Sequence, residues 1–263
     1  MRLLIDGDMI AYAVACAADG KKYKASDGHT ERYKDDITKY CKEHELDVAQ
    51  LETLYEPEPV EFALHSVKLM LQGGIFDAFP EGVSGYDIFL TGSGNLREQI
   101  STIKKYKGNR VDTHKPYHLH NCRNYLVEWG AKIVDGMEAD DAIGIAHSSA
   151  EPGTTCICSL DKDYLQIPGW NFNWNTQAKH LVTELEGWKN FFKQMLIGDS
   201  TDNILGLYGV GKDSAMVKRL GVMSTPEEMS DLVIGEYKKR FGSYWGLFFA
   251  EHYELLWILR EER

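Results

Sequence analysis

The sequence TCICSLDKD at residues 155–163 joins a short apolar run directly to two acidic residues. A run of four to eight mostly apolar residues is typical of a strand that is buried on both faces of a sheet. Asp161 and Asp163 would follow the end of this strand, and in an extended segment residues two apart point the same way. The stretch therefore predicts a buried strand with a pair of carboxylates at its carboxyl end.

Similar apolar runs that end in polar or acidic residues recur along the chain. They are LLID at 3–6, YDIFLTG at 86–92, AKIVD at 131–135 and, as a less regular fifth run, WNFNW at 170–174. Apolar residues with helical spacing lie between them, at 62–71 and 119–129. This alternation predicts an α/β fold with a mostly parallel central sheet and helices on both faces. In such sheets the functional crevice lies at the carboxyl ends of the strands.

Two stretches depart from this alternation and set the expected domain organisation. Residues 20–58 are polar and indicate an insertion or surface excursion to which the sequence gives no function. After Gly198 the pattern changes to helices punctuated by glycines. We therefore expect an α/β catalytic domain over residues 1–190 and a helical subdomain over residues 191–263.

The composition excludes several classes of protein. The 263 residues are 43% hydrophobic and 26% charged, which is typical of a globular chain and not of a disordered or fibrous one. Five scattered cysteines argue against a disulfide framework. No apolar run is long enough to cross a bilayer, and Asp6 comes too early for a signal peptide. We expect a cytoplasmic protein without membrane contact, and a monomer.

The charge of the chain is unevenly distributed. The 29 Lys and Arg residues against 40 Asp and Glu residues give a net charge of −11, which argues against a polyanionic partner. However, basic residues dominate 104–123, whereas acidic residues dominate 135–163. A basic block beside an acidic block can simply form two solvated faces, so the position of the acids on the fold decides what they do.

Acidic residues from four parts of the chain are expected to meet at one edge of the sheet. Glu138 and Asp141 share a helix face that Asp140 flanks, and Asp199 and Asp202 have the same three-residue spacing. Together with those at the strand ends, the acids are Asp6, Glu138, Asp140, Asp141, Asp161, Asp163, Asp199 and Asp202. Each acid alone is more often a helix cap or a turn residue, but the ordered set favours a common site.

So many carboxylates in one crevice need cations, because like charges a few ångströms apart raise one another's pKa. A site made of oxygen ligands suits Mg²⁺ or Mn²⁺ better than zinc. Two such ions about 4 Å apart can bracket a phosphodiester, one activating water and the other stabilising the leaving oxygen. The acids therefore predict a divalent-metal site for phosphate chemistry.

Five short motifs, in this order, resemble those of the 5′ nuclease (flap endonuclease) superfamily. They are IDGD at 5–8, YKGNR at 106–110, EADD at 138–141, LDKD at 160–163 and GDSTDN at 198–203, and GLYGVG at 206–211 fits the same pattern. The short bacteriophage 5′-3′ exonucleases and the 5′ nuclease domain of bacterial polymerase I are the most similar members. Each motif is weak by itself, whereas their joint order is specific and frames most of the chain.

The resemblance implies a PIN-like α/β domain with two divalent-metal sites, holding Mg²⁺ or Mn²⁺. Asp6, Glu138, Asp140 and Asp141 resemble ligands of the first metal, and Asp161, Asp163, Asp199 and Asp202 resemble ligands of the second. The implied substrate is DNA with 5′ ends, flaps or nicks, with RNA–DNA hybrids also open. The implied activity is that of a 5′-3′ exonuclease or flap endonuclease.

The basic block resembles the family's helical arch, placed at about residues 95–125. Lys107 and Arg110 would contact the reacting phosphate, and Tyr106 would stack on a base. A lysine charge and an arginine fork can both stabilise charge that builds on phosphate oxygens. Lys104 and Lys105 are further candidates for DNA contact.

The glycine-rich segment at 206–211 resembles the hairpin of a helix–hairpin–helix element. Glycines let backbone amides approach a phosphate, so Gly209, Gly211 and Lys212 are expected to grip the duplex backbone without reading bases. The following helix, expected near Lys212, would add its N-terminal dipole. The resemblance also implies K⁺ at this hairpin.

One position departs from the family pattern. The family usually carries an aspartate after the second strand, where this chain has Gly92 within TGS at 91–93. Glycine offers no ligand, so the first metal site is expected to be weaker or to be completed by water or by Asp8.

Two other functions remain open at this point. A haloacid-dehalogenase-like phosphatase would use Asp6 and Asp8 as nucleophile and acid/base, with Thr91 or Ser93 on the phosphate and Asp161 on Mg²⁺. That scheme leaves EADD and the glycine-rich hairpin unexplained. The absence of the aspartate at Gly92 motivates the other alternative, a catalytically impaired protein that binds DNA structures.

Overall fold

The computed structural model describes residues 1–111 and 113–262. The strands in this part of the chain are β1 (Arg2–Asp6), β2 (Lys21–Lys24), β3 (Thr30–Glu31), β4 (Glu52–Tyr55), β5 (Gly85–Thr91), β6 (Lys132–Val134), β7 (Thr155–Cys158), β8 (Gly169–Asn173), β9 (Ala178–Val182), β10 (Gly198–Asp199) and β11 (Ile204–Leu205). The α-helices are α1 (Gly7–Ala18), α2 (Lys34–Glu43), α3 (Val60–Leu69), α4 (Leu96–Ile100), α5 (Leu119–Glu128), α6 (Ala139–Ser149), α7 (Glu184–Ile197), α8 (Ala215–Gly221), α9 (Pro226–Phe241) and α10 (Trp245–Leu256).

The central sheet has the order β6-β5-β1-β7-β8-β9 and is parallel except for its last strand. The strand β1 lies between β5 and β7, with Leu4 beside Asp87 on one side and Ile157 on the other. All five strands expected from the apolar runs form, and the expectation of a mostly parallel sheet is confirmed. Because β1, β5, β6 and β7 run in the same direction, their carboxyl ends meet at one edge of the sheet.

The alternation of side chains along β1 separates two apolar cores. Leu3 and Ile5 pack with α1, α3 and α5 on one face of the sheet. Leu4 points to the other face and packs with Ile143 of α6 and Ile157 of β7. Both faces of the strand are buried, which explains why its sequence is a continuous apolar run and not an alternating one.

Residues 20–58 form a small unit of their own rather than a loop. Strands β3, β2 and β4 make an antiparallel sheet that α2 covers. Ala25, Ile37 and Cys41 are its buried core. Only a few apolar residues are needed for so small a core, so the polar composition predicted the excursion but not its fold.

The C-terminal helices bury a separate cluster against the end of α7. Phe191 and Met195 of α7 pack with Val233, Tyr237 and Leu255 of α9 and α10. The domain boundary expected at 190/191 therefore falls inside α7, which begins after β9 and carries its apolar face into the C-terminal helices. The helices α8, α9 and α10 follow Gly198.

The segment 255–259, here called the C-terminal strap, returns from α10 to the central sheet. The side chain of Gln166 fixes it by donating to Leu256 O at 2.9 Å and accepting from Ile258 N at 3.0 Å. Ile258 joins the core that contains Leu4. The strap therefore brings main-chain polar groups next to the carboxyl edge of the sheet.

The state of the cysteines and the length of the helices bear on the expectations about disulfides and membrane spans. All five cysteines are free thiols. No helix in the part of the chain covered by the structure has the length and apolar content needed to cross a membrane.

Candidate active site

The acids at the strand ends are held by local capping interactions. Asp6 ends β1 and caps α1 by accepting the Met9 N–H at 3.1 Å. Asp161 follows β7 and accepts the Asp163 N–H at 2.9 Å, which starts a 3₁₀ turn. Aspartate is favoured at such junctions because its side chain satisfies a backbone N–H that the helix leaves unpaired. The same residues are thus placed at the carboxyl edge of the sheet.

Side-chain hydroxyl groups connect acids from different parts of the chain. The hydroxyl of Ser159 donates to Asp6 Oδ2 at 2.9 Å and accepts from the Asp161 N–H at 3.0 Å. The hydroxyl of Tyr106 lies 2.6 Å from Glu138 Oε2 and 2.8 Å from Asp202 Oδ2. The structure therefore brings together acids from all four parts of the chain.

The acids form two adjoining groups with different surroundings. We call Asp6, Glu138, Asp140 and Asp141 the first cluster, and Asp161, Asp163, Asp199 and Asp202 the second cluster. A narrow pocket lies between them, and its polar lining comes from Arg97, Tyr106, Asp140, Asp163, Asp199 and Asp202.

Arg97 lies inside the first cluster and is 5% exposed. Its two terminal nitrogens bind Asp141 at 2.6 and 2.8 Å in a fork-to-fork arrangement, and one of them also donates to Glu138 at 3.2 Å. The same nitrogen is 3.5 Å from Asp140. A buried guanidinium with this geometry neutralises carboxylates directly and holds them in one orientation.

Glu138 is 7% exposed and receives two cations and a hydroxyl. Lys107 Nζ pairs with Oε1, while Arg97 and the Tyr106 hydroxyl share Oε2. Burial alone would raise the pKa of Glu138, but the charges of Lys107 and Arg97 overcome it and hold that pKa below its ordinary value. Glu138 is therefore ionised and already neutralised by protein groups.

Asp6 has hydrogen bonds but no cationic partner among the residues that the structure describes. Oδ1 accepts from Met9 N, and Oδ2 accepts from the hydroxyls of Ser159 and Tyr164 at 2.9 and 3.3 Å. Burial raises the pKa of Asp6 to about 6, against these hydrogen bonds. The shift shows a carboxylate that is desolvated without being neutralised.

The second cluster has fewer protein partners. Asp163 Oδ1 accepts from Gln194 at 2.6 Å, and Asp199 Oδ1 accepts from the N–H groups of Thr201 and Asp202 at 2.6 and 3.2 Å. Lys162, whose side chain is 68% exposed, is 3.4 Å from Asp199, and Lys107 is 3.9 Å from Asp202. Asp202 differs from the others because Arg110 binds its Oδ1 at 2.6 Å.

The scarcity of cationic partners also affects the pKa of Asp163 in this cluster. Burial, together with the charge of Asp161, raises the pKa of Asp163 to about 7. A carboxylate that is unfavourable when ionised fits a site whose counter-charge comes from a bound cation. Within residues 1–111 and 113–262, however, no group of three or more His, Cys, Asp or Glu side chains is arranged to hold a metal ion as it stands.

Gly92 sits where the family pattern places an aspartate, and the local packing leaves no room for one. A Cβ atom at Gly92 would come within 2.4 Å of Asp135 Oδ1 and 2.7 Å of Val134 O. Asp135 is held there by the N–H and hydroxyl of Ser93, at 2.7 and 2.8 Å. An aspartate at position 92 could therefore reach the first cluster only if Asp135 moved.

Asp8 does not complete the first cluster in its place. Its carboxylate pairs with Arg123 and accepts the Thr91 N–H at 2.8 Å. This half-buried ion pair argues against a contribution of Asp8 to the first metal site. The same pairing removes Asp8 from the acid/base role that a phosphatase would require.

The basic residues of YKGNR contact the acids directly. Lys107 pairs with Glu138, and Arg110 binds Asp202 and the Thr201 carbonyl, the latter at 3.2 Å. Lys104 and Lys105 are exposed on the same segment. Lys107 and Arg110 therefore lie beside the acids, whereas contact of the four cations with a phosphate stays a prediction.

The Tyr106 side chain is buried, whereas an exposed ring was expected. It is 3% exposed, and its ring belongs to the apolar cluster of the C-terminal helices. Stacking on a base is therefore not compatible with its position. Burial and the neighbouring charges of Glu138 and Asp202 raise its pKa, so its hydroxyl stays protonated and can act as a hydrogen-bond donor between the clusters.

The glycine-rich segment forms an exposed turn between β11 and α8. Gly209 has φ +75°, a left-handed conformation that favours glycine, and Val210 N donates to Leu207 O at 3.0 Å to close the turn. Gly209, Gly211 and Lys212 are exposed, whereas Leu207 is buried. The following helix begins at Ala215, with Ser214 as its cap, and not near Lys212.

Arg97 and Arg123 are the residues that sequence reasoning missed. Arg97 follows the helix cap Asn95 in a polar segment that looks exposed, and Arg123 lies in a helix among other polar residues. A helical period that predicted the buried face of α5 gave no sign that Arg123 reaches Asp8. For Arg97, the only available signal was the number of converging acids, which requires some internal counter-charge.

Comparison with known proteins agrees with this fold. No protein-family model matches the chain, and no curated protein matches it. Among solved structures, the D15 protein of bacteriophage T5, crystallised with metal ions, is 13% identical with a TM-score of 0.52. The match covers 97% of this chain and 88% of that protein.

A second structure of that phage protein is a complex of the D15 flap endonuclease with DNA and metal ions. It is 12% identical, with a TM-score of 0.50, and the match covers 97% of this chain and 98% of the other. At such low identity the similarity establishes the fold. The chain therefore shares the fold of this phage protein over nearly its whole length.

Proposed function

We propose that the protein is a 5′-3′ exonuclease or flap endonuclease that hydrolyses phosphodiester bonds near DNA 5′ ends with the help of a divalent cation. The observation that carries this proposal is the meeting of acids at the carboxyl edge of a 5′ nuclease sheet, directly below Lys107 and Arg110. The nuclease fold and this arrangement support the same chemistry. Flaps, nicks and RNA–DNA hybrids are the related substrates.

The second cluster has the donor chemistry for Mg²⁺ or Mn²⁺. Asp161, Asp163 and Asp199 supply hard carboxylate oxygens, which such ions prefer. A divalent ion bound there would lower the pKa of a water molecule and stabilise charge on phosphate oxygens. The first cluster fits such an ion less well, because Arg97 and Lys107 already neutralise it.

The cations of YKGNR would hold the scissile phosphate. Lys107 and Arg110 pair with Glu138 and Asp202 without substrate, so they are kept in place and charged. When a phosphate enters, they can exchange these partners for its oxygens, because charge-assisted hydrogen bonds to phosphate are at least as favourable. Their contribution to catalysis would be greatest where negative charge builds in the transition state.

Other surfaces would bind the rest of the substrate. Gly209, Gly211 and Lys212 present backbone N–H groups and a positive charge on an exposed turn, which suits duplex phosphates. Lys104 and Lys105 would add contacts nearer to the cleft. A K⁺ ion at the turn is part of this proposal.

The test is cleavage of a 5′-labelled flap duplex with Mg²⁺ or Mn²⁺. The wild-type chain should release the label as short 5′ products, and Asp161→Asn should abolish that release without loss of DNA binding. Asp231→Asn, at an exposed position of α9, removes one negative charge away from the acids and serves as the matched control. It should cleave as the wild type does.

Two outcomes would redirect the proposal. Full cleavage by Asp161→Asn would remove that residue from the reaction. Binding of the flap duplex without cleavage in either metal would instead favour a DNA-binding protein of impaired activity. The pairing of the first cluster with Arg97 and Lys107 would be the structural reason for the impairment.

A further inference from the structure

We propose that the guanidinium of Arg97 takes the place of the first divalent cation, so that the site holds a single divalent ion, at the second cluster. This inference deepens the proposed function and rests on it for the site's chemistry. It concerns the number of ions and their position, which can be measured without measuring cleavage.

Every N–H of the Arg97 side chain has a partner. Nε donates to Leu255 O at 3.1 Å, and one terminal nitrogen donates to Trp257 O at 2.9 Å as well as to Asp141. The other binds Asp141 and Glu138. A guanidinium offers five N–H groups, so no further partner is needed. The C-terminal strap and the acids therefore fix a full positive charge inside the first cluster.

The first cluster has little capacity left for a metal ion. Both oxygens of Asp141 bind Arg97, and Oδ1 also accepts the Leu259 N–H at 2.9 Å. Lys107, Tyr106 and Arg97 occupy both oxygens of Glu138. A divalent ion would have to displace two protein cations from these carboxylates or lie within a few ångströms of them, and either costs electrostatic energy.

The remaining members of the first cluster do not form a site on their own. Both oxygens of Asp6 accept hydrogen bonds, and Asp140 Oδ1 accepts the Asp141 N–H at 2.7 Å. Within the residues that the structure covers, Asp140 Oδ2 is the only oxygen of this cluster without a protein donor. Gly92 cannot add a ligand, because a side chain there would strike Asp135.

In the second cluster, by contrast, several carboxylate oxygens have no strong donor in the part of the chain that the structure describes. Asp161 and Asp163 each have an oxygen, Oδ2, to which no described residue donates, and Asp199 Oδ2 has only the 3.4 Å contact with the exposed Lys162. Three acids thus keep a free or weakly held oxygen, and two of them, Asp163 and Asp199, line the pocket between the clusters. A single divalent ion can take these oxygens without displacing a buried cation.

The experiment counts Mn²⁺ ions bound by the full chain in a titration followed by electron paramagnetic resonance, with no DNA present. Asp163→Asn and Asp140→Asn form a matched pair, because each converts one carboxylate at the pocket to an amide of the same shape. Thermal melts of both variants in EDTA would verify that they are folded.

We expect one Mn²⁺ per wild-type chain, none in Asp163→Asn and one in Asp140→Asn. Two ions in the wild type, a loss of an ion in Asp140→Asn, or no bound ion at all would each overturn the inference. One ion without cleavage of the flap duplex would keep the inference and reject the nuclease proposal. Two ions with cleavage would do the reverse.

Discussion

The first and second clusters lie at the same edge of the same sheet, yet their negative charge is compensated in different ways. In the first cluster, the buried Arg97 pairs with Glu138 and Asp141, and the half-buried Lys107 pairs with Glu138. In the second, Asp161 and Asp163 rely on backbone N–H groups, a glutamine and an exposed lysine.

The two clusters show that a chain can hold many carboxylates together in two ways, with a cation of its own or without one. A cation supplied by the protein makes the fold stable without any cofactor but uses the oxygens that a metal would need. A group without such a cation leaves its oxygens available, at the cost of desolvated charge until an ion binds. The clusters should therefore respond differently to mutation, metal and pH.

The largest expected effect is on stability when the cation of the first cluster is removed. Arg97→Met leaves Asp141 buried without a cationic partner and Glu138 with Lys107 alone, so we expect the free energy of unfolding to fall by about 3–5 kcal/mol. Urea denaturation in EDTA measures it. Arg97→Lys is the control, since it keeps the charge and loses the fork. A loss below about 1 kcal/mol, as is usual for exposed pairs, would show that the two clusters are alike.

Mn²⁺ should stabilise the wild type through the second cluster. At a free concentration 100 times the dissociation constant, binding of one ion adds about 2.7 kcal/mol to the free energy of unfolding. Thermal melts with and without Mn²⁺ would show this gain, which Asp163→Asn should remove. If the variant were stabilised as much as the wild type, the ion would be bound elsewhere.

Tyr106 connects the clusters, so its hydroxyl should matter to both. Tyr106→Phe removes a donor shared by Glu138 and Asp202, and hydrogen bonds to charged groups contribute about 1.5–3 kcal/mol. Urea denaturation should show a loss of that size, with Tyr208→Phe on the exposed turn as a control of the same chemistry. An equal effect in both variants would contradict the connecting role.

The metal-free protein should lose stability as pH rises through the range in which Asp163 ionises. The unfolded chain gives up this proton near its ordinary pKa of 3.8, whereas the folded chain keeps it until about 7. Between these values the folded state binds more protons, so a rise in pH favours unfolding. Urea titrations in EDTA from pH 5 to 8 would show the decline, and Asp163→Asn should make it shallower. An unchanged slope would exclude Asp163 as its source.

The smallest expected effect is that of the exposed lysine. Lys162 has a side chain that is 68% exposed and lies 3.4 Å from Asp199 and 3.9 Å from Asp163. Lys162→Ala should therefore change the free energy of unfolding by less than about 1 kcal/mol. A loss comparable with that of Arg97→Met would mean that the second cluster also depends on a protein cation.

The part of the fold that depends on local pattern could be predicted from the sequence. The apolar runs around Leu4, Ile88 and Ile157 are continuous because these strands are covered on both faces, and that pattern is visible in the amino-acid order. The convergence of Asp6, Glu138 and Asp161 followed from the parallel sheet. The roles proposed for these acids as metal ligands stay predictions.

The counter-charges could not be predicted because they depend on distant contacts. Arg97 binds Leu255 O across 158 positions of sequence, and Arg123 reaches Asp8 across 115. Neither pair has a spacing that a helix or strand period would reveal. The same holds for Tyr106, whose motif suggested an exposed ring and whose burial is decided by C-terminal helices that come much later in the chain.

The hold of the C-terminal strap on Arg97 and Asp141 has a consequence for synthesis. Leu255 and Trp257 supply carbonyls to the guanidinium, and Leu259 supplies an N–H to the carboxylate. During translation, the sheet and its acids emerge from the ribosome long before these groups do. The first cluster therefore cannot reach this arrangement on a growing chain until residues 255–259 have been made.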